Sequence, residues 1–281
     1  MQKKIAYQGV QGAYSEQACN NAYKHYTTVA CDTFHEAMWM VESGDADLAM
    51  IPLENSTAGR VEEIYRLIPK MALHVIGEHF EPVVHCLLAL PHAKLEELKY
   101  VASHPQALAQ CHNNIIELGL KAEAKLDTAG AAKELLELQD MHRSAIASKL
   151  AADIYGLQIL KENFEDIQGN TTRFFILSSE RNTPVYDASQ SYITSLIFQI
   201  KNIPAALYKV LGGFATNGVN ILKIESYMGT NMLQGSQFHI DIEGHIDANN
   251  VKLALDELAF FADEVRILGT YKSHRHRRAE N

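Results

Sequence analysis

Residues 46–59 read Ala-Asp-Leu-Ala-Met-Ile-Pro-Leu-Glu-Asn-Ser-Thr-Ala-Gly. The first eight form an apolar run of strand length, the pattern of a parallel strand covered on both faces. Glu54, Asn55, Ser56 and Thr57 follow it without a spacer. Open α/β sheets bind ligands at the carboxyl ends of their strands, so this junction predicts a fold class and a candidate site together. A helix start just beyond it, before Val61 and Ile64, would offer backbone N–H groups to an anion. Asn55 or Ser56 acting only as a helix cap, with Glu54 complementing the dipole, explains the same residues and is compatible with a site.

Upstream, residues 4–7 form a short strand, Gly9 and Gly12 a turn, and Ser15 caps a helix. Thr33 and Glu36 make a capping box before a helix with Phe34, Ala37, Met38 and Val41 on one face, and Gly44 stops it. Downstream, a strand spans 83–90, and Ser103 with Gln106 caps a helix carrying Leu108, Cys111 and Ile115 up to Gly119. A further helix follows Thr128, a strand at 144–147 enters a helix at Ser148, and the apolar strand 173–177 returns to the first unit. Alternating strands and helices predict two α/β lobes, about 1–80 plus 165–180 and 81–164, with a cleft between them. The polar stretch 178–190 is a linker. Beyond it come a strand at 192–200 and a helix opened by Pro204, with Leu207, Val210, Leu211 and Phe214 on one face. A hairpin of 219–228 and 236–243, a helix at 248–262 and a strand at 265–271 complete the β-α-β-β-α-β order of a ferredoxin-like domain over 191–272. The basic tail after Tyr271 is expected to be a frayed terminus.

The 281 residues carry 25 Lys and Arg against 34 Asp and Glu, a formal net charge of −9, which disfavours a broad nucleic-acid or membrane-binding surface. No apolar run is long enough to span a membrane and no signal core opens the chain, so a cytoplasmic protein is expected. Cys19, Cys31, Cys86 and Cys111 lack metal or disulfide-motif spacing, and His79, His85, His92 and His104 match no ligand pattern, so neither metal nor cofactor is expected. Phosphate-loop, dinucleotide and serine-hydrolase signatures are missing from the sequence.

Two more segments place polar residues at strand ends. In Ser103-His104-Pro105-Gln106-Ala107, with Gln110 one turn on, the capping role of Ser103 is the simpler reading, and a carboxylate site is the functional one. In Asn170-Thr171-Thr172-Arg173-Phe174, Arg173 offers a two-pronged donor to a carboxylate and Thr172 a hydroxyl, although an ion pair and a strand former would account for both. Together the residues describe a cleft for a small anionic molecule and do not name it.

The segments G-V-Q-G-A-Y-S (9–15), I-P-L-E-N-S-T-A-G (51–59), S-H-P-Q-A-L-A-Q-C (103–111), A-I-A-S (145–148) and N-T-T-R-F (170–174) resemble prephenate dehydratase, in order and over most of the chain. The C-terminal part resembles an ACT domain, the small-molecule sensor usually fused to that enzyme. The resemblance implies a catalytic domain like the type II periplasmic binding proteins over 1–180 and a lyase that converts prephenate to phenylpyruvate in phenylalanine biosynthesis without a cofactor. Arogenate dehydratase and a non-catalytic amino-acid-sensing binding protein are the alternatives. It implies catalytic roles for Thr172, Glu54 and Asn55: Thr172 hydrogen-bonds the departing hydroxyl and Glu54 is a candidate proton donor. Arg173 would pair with a substrate carboxylate, with Ser56, Ser103, Gln110, Asn170 and Thr171 completing the pocket. L-phenylalanine is the implied effector, at Ala205, Ala206, Leu207, Glu225 and Ser226. Here the family reads P-G-A-L and E-S-R-P, and this chain has Pro204-Ala205-Ala206-Leu207 and Glu225-Ser226-Tyr227-Met228. A homodimer or homotetramer through the ACT domains is expected, and no mutase segment is expected ahead of residue 1.

Overall fold

The computed structural model describes residues 2–227 and 236–278. In chain order the elements are β1 (Lys4–Gln8), α1 (Tyr14–Ala22), β2 (Thr27–Cys31), α2 (Phe34–Glu42), β3 (Leu48–Asn55), β4 (Gly59–Arg60) and α3 (Glu62–Leu67). Then come β5 (His74–Pro82), β6 (Cys86–Ala89), β7 (Tyr100–Ser103), α4 (Pro105–Gln110), α5 (His112–Glu117), β8 (Lys121–Ala124), α6 (Thr128–Leu138), β9 (Arg143–Ala147), α7 (Lys149–Tyr155), β10 (Gln158–Lys161) and β11 (Thr171–Ser178). The last six are β12 (Tyr192–Ile200), α8 (Ala206–Thr216), β13 (Ile221–Tyr227), β14 (Gln237–Glu243), α9 (Asn249–Phe261) and β15 (Ala262–Lys272).

The chain divides into two compact units, residues 1–61 with 79–174, and residues 62–78 with 175–281. In the first, β1 pairs in parallel with β2 and β3, and β4 pairs antiparallel with β3. The strand starts at Leu48 rather than Ala46, with Asp47 exposed, and its first four residues are buried, as a sheet covered on both faces requires. Strands β6 to β10 form a sheet of their own, ordered β10-β6-β9-β7-β8. Its two faces are covered by separate apolar clusters, one around Leu88, Ala132 and Ala151, the other around Leu87, Val101 and Ile146. At Gly12 (φ +88°) a Cβ would lie 2.8 Å from the Ala151 Cα, so only glycine allows the α1 and α7 starts to approach.

Several local expectations shift. Thr33 does cap α2, accepting from the Glu36 amide at 3.0 Å, but Glu36 returns its bond to the Asp32 amide rather than to Thr33. Helix α1 begins at Tyr14 behind Ala13, so Ser15 lies inside it and caps nothing. His104, not Ser103, caps α4, its Nδ1 accepting from the Gln106 amide at 3.2 Å. The expected strand 83–90 is broken: β5 ends at Pro82 and β6 starts at Cys86.

In the second unit β12 to β15 and two helices follow the β-α-β-β-α-β order, with the antiparallel sheet ordered β13-β14-β12-β15. Leu196, Phe198, Ile240 and Ile242 pack against Val210, Phe214, Val251 and Leu258 of α8 and α9. Residues 62–78, expected in the first lobe, group here: the Arg266 guanidinium donates to the carbonyls of Pro69, Met71 and Leu73. Gly269 meets the Val75 carbonyl so closely that any side chain would collide with it. Helix α8 opens at Ala206 behind Ala205, which sits at φ +58°, a left-handed conformation that costs an alanine about 1 kcal/mol. The tail is not frayed through residue 278: Arg277 grips buried Glu78 with two nitrogens, at 2.8 and 3.0 Å. Met228 and the expected hairpin loop lie outside the described residues.

Candidate active site

A cavity of about 460 Å³ opens in the first unit. Its wall takes residues from the starts of α1 (Ala13, Tyr14, Ser15), α2 (Phe34), α4 (His104, Gln106, Ala107) and α6 (Asp127, Thr128). Four helix N-termini therefore border one space. Such ends carry partial positive charge and unpaired N–H groups, so they favour an anion. Among the described residues no lysine or arginine lines the cavity, and Phe34, Val61, Val83 and Phe174 supply apolar surface beside the polar groups.

The carboxyl end of β3 and the amino end of β11 meet at this cavity. Asn55 and Thr172 both line it, as do Gln110 and Asn170. Asn55 is held by its own loop: its Oδ1 accepts from the Thr57 amide (3.1 Å), the Thr57 hydroxyl (2.8 Å) and the Ala58 amide (3.0 Å). That fixes the amide group the other way, and Nδ2 donates to Asn170 Oδ1 at 2.6 Å and to Thr172 Oγ1 at 3.0 Å. The Thr172 hydroxyl is thereby an acceptor toward Asn55, and its proton is left to donate into the cavity. The helix cap expected of Asn55 or Ser56 is not found: the turn leads into β4, α3 starts only at Glu62, and Asn55 braces the turn itself while lining the cavity.

Other predicted residues lie behind the wall. Arg173 is buried, with Nη1 donating to Glu54 Oε1 at 3.1 Å, and neither residue lines the cavity. The pair ties β3 to β11 rather than turning toward a ligand. Ser56 and Thr171 exchange bonds, Ser56 N–H to the Thr171 carbonyl (2.9 Å) and Thr171 N–H to Ser56 Oγ (3.0 Å). Ser103 donates to the Ile146 carbonyl at 2.6 Å and is fully buried. These five hold the site's frame. Residues the sequence did not single out for the site include Tyr14, His85, Leu126 and Asp127. Tyr14 falls inside the 9–15 segment, but nothing in the spacing of His85 distinguishes it from a core histidine.

The family model of prephenate dehydratase matches residues 5–182. This chain belongs to the prephenate dehydratase family. It is 45% identical, over 98% of its length and 97% of the relative's, to a bifunctional N-acyl-homoserine lactone acylase/prephenate dehydratase of Komagataeibacter europaeus. Arogenate dehydratase 2 of Petunia hybrida is 40% identical over 96% of this chain and 72% of that protein. The solved prephenate dehydratase of Arthrobacter aurescens in complex with L-Phe superposes with a TM-score of 0.87 at 30% identity, covering 96% of this chain and 90% of that one. The family places the chain among the prephenate and arogenate dehydratases, lyases of aromatic amino-acid biosynthesis. The observed cavity combines four helix starts with the hydroxyls of Ser15, Thr128 and Thr172, of which Thr172 is the one held by Asn55.

Proposed function

We propose that this chain converts prephenate to phenylpyruvate, water and carbon dioxide. The electrons of the breaking bond to carbon dioxide complete the aromatic ring as the ring hydroxyl leaves, and the departing oxygen takes one proton to become water. No electron sink is needed, so the protein's task is to hold a dianion and assist the leaving oxygen. The observation that carries the reading is the Thr172 hydroxyl, an acceptor toward Asn55 and a donor toward an apolar cavity bordered by four helix starts. Thr172 hydrogen-bonds the departing oxygen, and the helix N-termini bind the carboxylates. Glu54 and Arg173 act on the substrate only through the strand ends they join.

Arogenate differs from prephenate by an ammonium group in place of the side-chain ketone, and Asp127 is the lining carboxylate that would meet it. We assign phenylalanine feedback to the second unit, supported by the L-Phe complex of the Arthrobacter relative, with Ala205 to Leu207, Glu225 and Ser226 as the segments that touch the effector. The strained Ala205 in place of the family's glycine weakens that site. Pairing of second units into a dimer or tetramer belongs to the same proposal.

One observation favours a second activity: the 45%-identical relative is also an acylase by name. Amide hydrolysis needs an activated nucleophile, and neither Thr172 nor Ser15 in the cavity wall has a histidine partner in the bonds described. Dehydration is the better supported. The test is turnover of purified protein with prephenate, arogenate and an N-acyl-homoserine lactone side by side, with Thr172→Val as control. Rapid phenylpyruvate release lost in the variant supports the proposal; lactone cleavage alone, indifferent to Thr172, would replace it.

A further inference from the structure

The bond that fixes Thr172 is the last link of a longer chain of side chains, and each link from Asn55 to His85 Nε2 has one polarity. Asn55 Nδ2 donates to Asn170 Oδ1, so Asn170 turns its Nδ2 to Gln110 Oε1, 3.2 Å away. Gln110 Nε2 donates to Thr57 Oγ1 at 2.6 Å, whose own proton goes to Asn55 Oδ1. Gln110 Oε1 can then only accept, and the next atom is His85 Nε2 at 2.8 Å, which must carry its hydrogen. On the far side of the ring, Nδ1 lies 2.8 Å from the Tyr14 hydroxyl, which shares its proton between this nitrogen and the Val84 carbonyl at 2.9 Å; a neutral ring with its hydrogen on Nε2 is an acceptor there.

His85 is 1% exposed, so bulk water does not substitute for any of these partners. Burial pushes its imidazole below the ordinary value, against the Gln110 bond and the Glu165 charge, and the neutral ring is the resting form. Burial raises the Tyr14 phenol well above its usual value, which keeps it a donor. The remaining groups around this pair are Glu165, which accepts from the His85 backbone N–H at 2.8 Å, and the thiols of Cys86 and Cys111.

We propose that His85 is a positioning residue for the dehydration: its Nε2–H, on the side of the ring opposite Tyr14, orients Gln110 and Asn170 beside the loop-held Asn55, and so keeps the Thr172 hydroxyl in place at the cavity. Loss of that N–H frees Gln110 to rotate and takes from Asn170 Nδ2 its acceptor; the Asn55 amide stays pinned by its loop, but Asn170, its other partner beside Thr172, shifts, and the Thr172 hydroxyl is no longer held in line with the departing oxygen. The effect therefore falls on turnover rather than on binding, and its kinetic arm rests on the dehydratase reading.

The experiment compares His85→Leu and His85→Gln in the full chain, with prephenate. His85→Leu should lower kcat by about 30- to 100-fold with KM within about threefold, as expected when a reacting group is misplaced and substrate affinity is left intact. His85→Gln carries an N–H toward Gln110 and should recover most of that loss. A His85→Leu enzyme with normal kcat, a change confined to KM, or a His85→Gln enzyme as impaired as His85→Leu overturns the proposal. Because His85→Leu removes a buried polar group and can fail to fold, the second measurement uses the intact protein without substrate. Nitrogen NMR of histidine-labelled protein should show the His85 ring protonated at Nε2, with a signal that shifts in Thr172→Val; a bare Nε2 overturns the proposal. Should the wild-type protein leave prephenate untouched, the dehydratase reading falls, and the NMR arm decides the positioning by itself.

Discussion

Each unit contains a buried cluster of hydroxyl, imidazole and carboxyl or amide groups, and the two have opposite fates. In the second unit Ser195 lies 2.9 Å from His239 Nε2 and donates to Asp241 Oδ1 at 2.5 Å, with all three residues fully buried. By residue type this is a nucleophile, a base and an orienting acid. It is made by register alone: Ser195 faces Asp241 across β12 and β14, and His239 is two residues along the same strand. Mid-strand positions in a covered sheet give no route to substrate, so the cluster is structural. The network of the first unit joins the same kinds of groups, but its members come from the ends of β3, α4 and β11 and from the break between β5 and β6. Element ends leave a cavity, and there the last hydroxyl keeps a free proton. Access, rather than residue inventory, separates the two.

The sharpest way to break this comparison is Thr172→Val. Removing the cavity hydroxyl that Asn55 holds in place should lower kcat by about 1,000-fold, roughly 4 kcal/mol of transition-state stabilisation, with the melting temperature unchanged. A mild loss would place the working group elsewhere in the wall. Gly12→Ala follows. Its Cβ would meet the Ala151 backbone at 2.8 Å from a left-handed conformation, so unfolding in urea should show a loss of about 3 kcal/mol. Because Ala13 to Ser15 line the cavity, the same variant should also raise KM for prephenate. Ser195→Ala should cost about 2 kcal/mol of stability by removing one bond from each of two buried partners, yet leave prephenate turnover at wild-type level. A fall in kcat without a fall in stability would mean the sealed cluster is not merely structural.

How much of this was visible in the sequence follows the same division. The β3 run and its polar end were legible because burial on both faces leaves an unbroken apolar stretch and the site follows it directly. The β-α-β-β-α-β order was legible from apolar periodicity. Strands β2, β7, β8 and β10 were not: they are four or five residues long, and Thr27–Cys31 and Lys121–Ala124 carry too few apolar residues to show a period. Among site residues, Thr172, Asn55, Gln110 and Asn170 were found through motif and resemblance. Arg173 and Glu54 were equally conspicuous, but sequence could not show that each satisfies the other behind the wall. His85 was missed for the converse reason. A single histidine at a strand start has no local signature, and its meaning comes from Gln110, 25 positions later in the chain.

The smallest expected effect tests whether acid unfolds the first unit through its buried polar groups. Glu81 is 2% exposed and accepts from Gln17 at 2.8 Å, from Asn21 at 3.0 and 3.1 Å and from His79 at 2.8 Å. Burial by itself raises its pKa, and the bonds from His79, Asn21 and Gln17 outweigh burial and lower it. A carboxyl held below its ordinary value of about 4.3 contributes stability at higher pH, and that contribution disappears as pH falls through 4.3 toward the lowered value. His85 acts in the same direction in a higher window. Its folded pKa is also lowered, so the unfolded chain takes up a proton below about pH 6.5 that the folded chain resists, and stability again declines as pH falls. Two acid limbs should therefore appear in a plot of unfolding free energy against pH. Glu81→Gln should lose about 1 kcal/mol at pH 7, and the gap to wild type should narrow as pH falls from about 4.3 and close once pH is below the lowered folded value, where both chains carry a neutral group. The limb that begins near pH 6.5 should survive in this variant and flatten in His85→Gln. A gap that stays constant from pH 7 to pH 3 would show that Glu81 contributes hydrogen bonds alone and that its charge is immaterial to the fold.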